Sequence, residues 1–139
     1  MSFCKVSEIV PKNLLAVIPE RYKGMKYKKL TVGDIVTITD ITVVSYKARK
    51  DGDYIQRKDG SYILNQTCYF GLSDGYYTSI RNNTVLGQVA SLTGWYENGE
   101  KDDYFALENP EKVKIIEVTE SMGKGDKAKN VPVKAFESI

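Results

Sequence analysis

Thr31-Val32-Gly33-Asp34-Ile35-Val36-Thr37-Ile38-Thr39-Asp40-Ile41-Thr42-Val43-Val44-Ser45-Tyr46 is packed with β-branched residues, which fit a pleated sheet better than a helix. Val32, Val36 and Ile38 share one parity, and Ile41 and Val43 share the other. Side chains alternate between the two faces along a strand. A parity flip inside an apolar run therefore marks an extra residue, a β-bulge, near Thr39 and Asp40. Bulges bend strands, and strongly bent long strands turn the corners of small barrels. Two separate strands meeting at Asp40 would give the same pattern.

Downstream, residues 47–60 form a hairpin-like excursion with two Asp-Gly pairs, Asp51-Gly52 and Asp59-Gly60, both strong turn signals. Residues 61–72 read as a strand. Tyr62, Leu64, Cys68, Phe70 and Leu72 take one side, and Ile63, Asn65, Thr67 and Tyr69 the other. Ser73-Asp74-Gly75 turns the chain, and residues 76–81 return. With Leu72 and Ile80 inward, Tyr69, Tyr77 and Arg81 share the outer face of this hairpin. Asn82-Asn83 caps a segment with Val85, Leu86, Val89 and Leu92 at helical spacing. Gly87 weakens that helix, and from Gly87 onward the segment also reads as a strand. Trp95-Tyr96 leads into an Asn98-Gly99 turn, and Tyr104-Phe105-Ala106-Leu107 follows. Asn109-Pro110 breaks the chain before a last strand carrying Val113, Ile115 and Val118, with Ile116 on its opposite face. Residues 121–130, rich in Gly and Lys, read as a linker, and residues 131–139 as a short semi-apolar tail. Upstream, Pro11 and Pro19 prevent one long helix over residues 6–18; a short strand, a turn and then a helical turn or second strand fit there. Residues 20–30 form a basic connector broken at Gly24.

A chain of 139 residues with 42% hydrophobic and 27% charged content has the size and balance of one globular domain with a real core. Histidine is 0, which excludes Ser-His-Asp and Cys-His nucleophile systems, imidazole metal sites and histidine proton shuttles. Gly123-Lys124-Gly125 lacks the spacing and preceding strand of a phosphate-binding loop, and there is no GxGxxG or GxSxG. The acids of residues 97–103 flank a turn without EF-hand spacing, so they read as surface rather than as a carboxylate pair. No enzyme, cofactor or metal centre is expected. No apolar run approaches the roughly 20 residues of a membrane span. Met1-Ser2-Phe3-Cys4-Lys5 does not open a secretory signal, so a cytoplasmic protein with Cys4 and Cys68 reduced is expected.

The charge is unevenly divided. Residues 21–29 carry +5 and residues 47–58 carry +3 of a net +2, which leaves −6 for the rest, much of it in residues 97–111. Both basic segments are interleaved with aromatics: Tyr22 and Tyr27 in the first, Tyr54 in the second, with Tyr46 and Tyr62 flanking it. Cations neutralise phosphates, and flat rings stack on unpaired bases. A solvated loop with ordinary surface lysines has the same composition.

In chain order the elements are a long bent strand, a basic excursion, two hairpin strands, a short helix and closing strands. With Gly33-Asp34 opening the first strand and Gly94-Trp95 ahead of Asn98-Gly99, this order resembles the small OB-fold single-stranded DNA-binding proteins, including the divergent ones encoded by bacteriophages. The resemblance covers about residues 31–119. It implies a mainly β fold, a five-stranded OB-like Greek-key barrel with one short helix. Residues 1–30 would be an N-terminal extension, and residues 120–139 a linker and flexible C-terminal tail. It also implies a ligand face on the second and third strands, flanked by the loop of residues 47–60 and by the acidic region of residues 97–103, which fits less well. The acidic C-terminal tail that recruits partners in the bacterial proteins is missing. This chain ends Val131-Pro132-Val133-Lys134-Ala135-Phe136-Glu137-Ser138-Ile139, which puts recruitment by that route in doubt.

On this reading Tyr46, Tyr54, Tyr69, Tyr77 and Trp95 stack on bases, and Lys47, Arg49, Lys50, Arg57, Lys58 and Arg81 contact phosphates. The expected function is single-stranded DNA binding with little sequence preference, in replication or recombination of a phage or mobile element. RNA is a second candidate ligand, since nothing obviously rejects a 2′-hydroxyl. Tyr62 and Tyr76 are expected at the core rim, and Trp95 is divided between core and groove. The competing reading is a β-barrel protein-interaction module or inhibitor of a host protein, its charge polarity steering it onto a partner or another copy of itself. Co-location separates the two. Tyrosines and basic excursion in one groove favour nucleic acid; scattered, buried tyrosines favour the interaction module.

Overall fold

Ile35–Lys47 runs as one continuous strand, β2, in the computed structural model, which describes residues 18–123 and 125–139. Ile38 faces Leu72 of the neighbouring strand and Asp40 faces Gly71, so Thr39 is the extra residue of a β-bulge. The bulge, not a break at Asp40, produces the parity flip. Val36 and Ile38 before it, and Ile41 and Val43 after it, all enter the main core. The Thr39 hydroxyl lies 3.0 Å from Asp40 Oδ2 and 3.2 Å from the Gly71 carbonyl, within hydrogen-bond reach of both.

The remaining strands are β1 (Lys26–Tyr27), β3 (Arg49–Lys50), β4 (Asp53–Tyr54), β5 (Leu64–Leu72), β6 (Tyr76–Ile80), β7 (Asp102–Met122) and β8 (Lys129–Ser138). Among the described residues one helix, α1 (Asn83–Thr93), follows β6, and Glu20–Tyr22 and Gly125–Lys127 form single 3-10 turns. The fold is mainly β. A six-stranded sheet in the order β1-β6-β5-β2-β7-β8 curls into a half-barrel, and β3-β4 forms a separate hairpin. β1 pairs with β6 in parallel, and every other neighbour is antiparallel. The sequence-based expectation of five strands is thus corrected to a six-stranded sheet: two expected strands join in β7, while the basic connector contributes β1 and the expected tail contributes β8.

Two further expectations change. Asn109-Pro110 does not end a strand. Asp40 faces Ala106 and Ile38 faces Glu111, so residues 107–110 loop out of register opposite the β2 bulge while β7 continues. Pro110, which has no N–H, sits in that unpaired excursion. The expected flexible tail is instead β8, paired with β7 from Val113↔Ser138 to Met122↔Lys129. Of residues 6–18, where a short strand, a turn and a helical turn or second strand are expected, all but Ile18 lie outside the described residues.

α1 fills the gap beside β8. The Asn82 side chain accepts the Val85 N–H at 2.7 Å, and Gly94, at φ 78, closes the helix by donating to the Ala90 carbonyl at 2.8 Å. Val85 and Val89 are buried in the main core with Ile38, Ile41, Phe70 and Ile115. On the helix flank, the Gln88 amide donates to the Phe136 carbonyl at 2.7 Å and accepts the Phe136 N–H at 3.0 Å. Asn82 donates to the Lys134 carbonyl at 2.9 Å. These side chains engage the backbone edge of β8, and Pro132 offers no donor there, so this edge is a poor template for another strand.

Gly71 is required by the bulge. A Cβ at this position would lie 2.7 Å from Asp40 Oδ1. Gly71→Ala should lower stability by about 1–3 kcal/mol in urea unfolding, the usual cost of overpacking. In an Asp40→Ala background the added cost should shrink, because the obstructing carboxylate is gone.

Candidate nucleic-acid interface

The β5–β6 register pairs Tyr69 with Ser79 and Gly71 with Tyr77, which sets Tyr69 and Tyr77 on the sheet face opposite the main core. Their rings are 6.4 Å apart at 29°. From β2, Val44 shares this face, and Tyr46 packs against it. The expected shared face therefore exists, but it is not open. The 3-10 turn Glu20–Tyr22 lays Tyr22 across it, stacked 5.9 Å from Tyr69 at 16° and 5.4 Å from Tyr77 at 20°. The Tyr22 hydroxyl donates to Asp40 Oδ1 at 2.7 Å and lies 3.0 Å from the Thr42 hydroxyl. Arg21 sets its guanidinium 3.4 Å from the ring centroid of Tyr104 on β7. β1 then pairs with β6, and Tyr27 meets Tyr77 edge-on at 5.4 Å. Tyr22 is 1% exposed and Tyr69 5%. Tyr69 is therefore a satellite-core residue, covered by Tyr22 rather than open, and Tyr77 is half-buried. The signal for a cover was in β2: Val44 is apolar at the parity opposite Val43, and an apolar side chain on a supposed solvent face needs a partner.

The arm of residues 48–63 is the open part. It is stitched by Ala48 N–H to Ile63 O at 2.8 Å, Ile55 N–H to Ala48 O at 3.0 Å and Ile63 N–H to Ile55 O at 3.0 Å. Asp51 and Gly52, at φ 55 and 87, make its first turn. At the second, Asp59 Oδ1 accepts from the Ser61 hydroxyl and N–H, which holds its carboxyl below the usual range. Tyr54 and Tyr62 meet edge-to-face at 5.8 Å and are 45% and 37% exposed. Lys47 Nζ lies 5.0 Å from the Tyr54 ring and 4.4 Å from the Tyr62 ring. The Arg49 guanidinium lies 4.4 Å from the Tyr54 ring and donates to its hydroxyl at 2.8 Å. Lys50, Arg57 and Lys58 are exposed beside them. Tyr62, expected at the core rim, belongs to this cluster instead, whereas Tyr76 packs partly buried against the core.

Arg81 sits with its guanidinium 5.8 Å from the Tyr46 ring, whose hydroxyl lies 3.0 Å from that of Thr67. Trp95 is not part of the constellation. It packs against the main core on the other side of the sheet, and its indole N–H donates to Asp103 at 3.0 Å. The acidic region lies beside the arm: Ser45 N–H donates to Lys101 O at 2.9 Å, and Lys47 pairs with Glu100 at 3.9 Å. Among the described residues, no group of three or more Cys, Asp or Glu is placed to hold a metal ion, and no helix is long and apolar enough to cross a membrane. No protein-family model, curated protein or solved structure significantly matches the chain.

Burial raises the hydroxyls of Tyr22 and Tyr69 well above the ordinary 10.0. In the unfolded chain both ionise near pH 10, while the native protein keeps them protonated. Their contribution is therefore full below pH 10 and is lost above it, at about 1.4 kcal/mol per pH unit for each ring. An ultraviolet alkaline titration should show late-ionising tyrosines; a single transition of all ten tyrosines near pH 10 would contradict the buried stack. Burial also pushes the Cys68 thiol up to about 12. In a Cys4→Ser variant, Cys68 should resist iodoacetamide at pH 8 until urea unfolds the chain.

Proposed function

We propose that this chain is a non-enzymatic binder of single-stranded nucleic acid, with DNA as the primary ligand and little sequence preference. The observation that carries the reading is the exposed cluster of Tyr54 and Tyr62 with Lys47 and Arg49. Rings of this kind stack on any base, and neighbouring cations neutralise the backbone. Lys50, Arg57 and Lys58 extend the positive surface along the arm. Arg81 and Tyr46 mark a continuation toward the sheet.

The strand arrangement supports an OB-like assignment for this binder. The meander β2-β5-β6 is followed by α1 and by β7, which returns beside β2, and the order β7-β2-β5-β6 is the four-strand order of a Greek key. The arm then corresponds to the loop between the first and second barrel strands, one of the ligand loops of that fold. A cytoplasmic role in replication or recombination of a phage or mobile element belongs to the same proposal and rests on the resemblance alone. The burial of Tyr69 favours a second reading, a protein-interaction module docked through the basic arm and its acidic neighbour.

Titration of fluorescent oligo-dT, oligo-rU and duplex DNA at two salt concentrations separates the two readings. Oligo-dT should bind, with affinity falling as salt rises by a log–log slope of about 0.7 per phosphate contacted. Tyr54→Ala with Tyr62→Ala should weaken binding about 10- to 100-fold, the loss of one base stacked on the edge-to-face pair at about 1–3 kcal/mol, and Trp95→Phe should leave it unchanged. Flat signals for all three ligands would remove the nucleic-acid reading.

A further inference from the structure

We propose that the segment of residues 18–27 is an intramolecular competitor for the ligand, a strap whose Tyr22 ring fills a slot on Tyr69 and Tyr77 that a base of single-stranded nucleic acid occupies when the strap swings out. This rests on the single-strand reading above and adds its regulation. Tyr22 lies almost parallel to both sheet tyrosines, at 16° and 20°, the arrangement a base adopts on an aromatic platform. Beneath it, Asp40 and Thr42 hold the phenol hydroxyl, and an N–H donor on a base edge would satisfy the same carboxylate. The strap thus mimics the ligand in shape and in hydrogen bonding.

The strap is built to come away without dismantling the domain. Besides Arg21 on Tyr104 and the Tyr22 hydroxyl on Asp40 and Thr42, its packing is a small cluster of Tyr22, Val44 and Tyr69 with Ile18, Met25, Tyr46 and Tyr77, separate from the main core on the other sheet face. Among the described residues, sheet pairing holds it through Lys26 and Tyr27 on β6. Leu30, 3% exposed, is anchored in the main core and marks where the moving part ends. Arg21, Lys23, Lys26, Lys28 and Lys29 lie on or next to the strap. Released, they face the phosphates of the strand that displaced them, so opening exchanges an internal ring for a base and adds cations to the site. A site open for only a fraction of the time binds more weakly by that fraction, and weakening the strap removes the handicap.

The test titrates fluorescein-labelled oligo-dT with the full chain as wild type, as Tyr22→Ala, and as Tyr54→Ala with Tyr62→Ala. In parallel, hydrogen exchange is read on the wild type with and without oligo-dT at the amides of Met25 and Lys28, which donate to Tyr22 O and Tyr77 O. Tyr22→Ala should bind at least about tenfold tighter than wild type, and both amides should exchange at least about tenfold faster when oligo-dT is bound. Unchanged or weaker binding by a folded Tyr22→Ala, with binding still weakened in the arm variant, overturns the strap and leaves the single-strand reading standing. Absence of binding by all three proteins at low salt overturns both. If Tyr22→Ala shows no cooperative melt, the exchange measurement decides, and unchanged or slower exchange at Met25 and Lys28 overturns the strap.

Discussion

The one extra residue at Thr39 sets the rest of the molecule. Without it, the alternation of β2 would put Ile41 and Val43 on the face opposite Val36 and Ile38. With it, all four enter one core, and Val44 is left on the other face. A strand apolar on both faces cannot leave either to water. The half-barrel therefore needs two cores: a large one under α1, and a small one under Tyr22. Asp40 stands at the junction. It packs over Gly71 on the neighbouring strand, takes the Tyr22 hydroxyl and sits beside the Thr39 hydroxyl.

The same junction organises the charged surface. Along the chain the charge is polarised, basic early and acidic late. In space much of that polarity folds back on itself. The arm leaves β2 at Lys47, and the acidic region joins β7 directly alongside, where Val44 faces Asp102 and Lys47 pairs with Glu100. The basic arm thus stands beside a local acidic rim, which shapes where an anionic strand can approach.

What could be read from sequence was local. The bulge followed from parity within one strand. Asn82 and the spacing of Val85 and Val89 pointed to the helix, while Gly87 left a strand equally readable from there on. The arm turns followed from two Asp-Gly pairs, and the outward sharing of Tyr69 and Tyr77 followed from strand alternation. What could not be read depended on distant chain. Tyr69 is buried because Tyr22, 47 positions away, stacks on it. β7 survives Asn109-Pro110 because the misfit is opposite another misfit, the β2 bulge. β8 looked like a tail because Pro132 and Lys134 interrupt its apolar residues; Pro132 is tolerated because β7 pairs on one side only, and on the other side Asn82 and Gln88 of the α1 region engage Lys134 and Phe136. Tyr62 was assigned to the core because it shares parity with Leu64, but the arm carries it away from the sheet before that parity takes effect.

The stacked tyrosines are directly visible to nuclear magnetic resonance. Nuclear Overhauser contacts should link the Tyr22 ring protons to those of both Tyr69 and Tyr77, with the Tyr22 ring shifts displaced by its neighbours. Random-coil shifts for Tyr22, with no cross-peaks to either ring, would mean that the outer face is bare and that the second core does not exist.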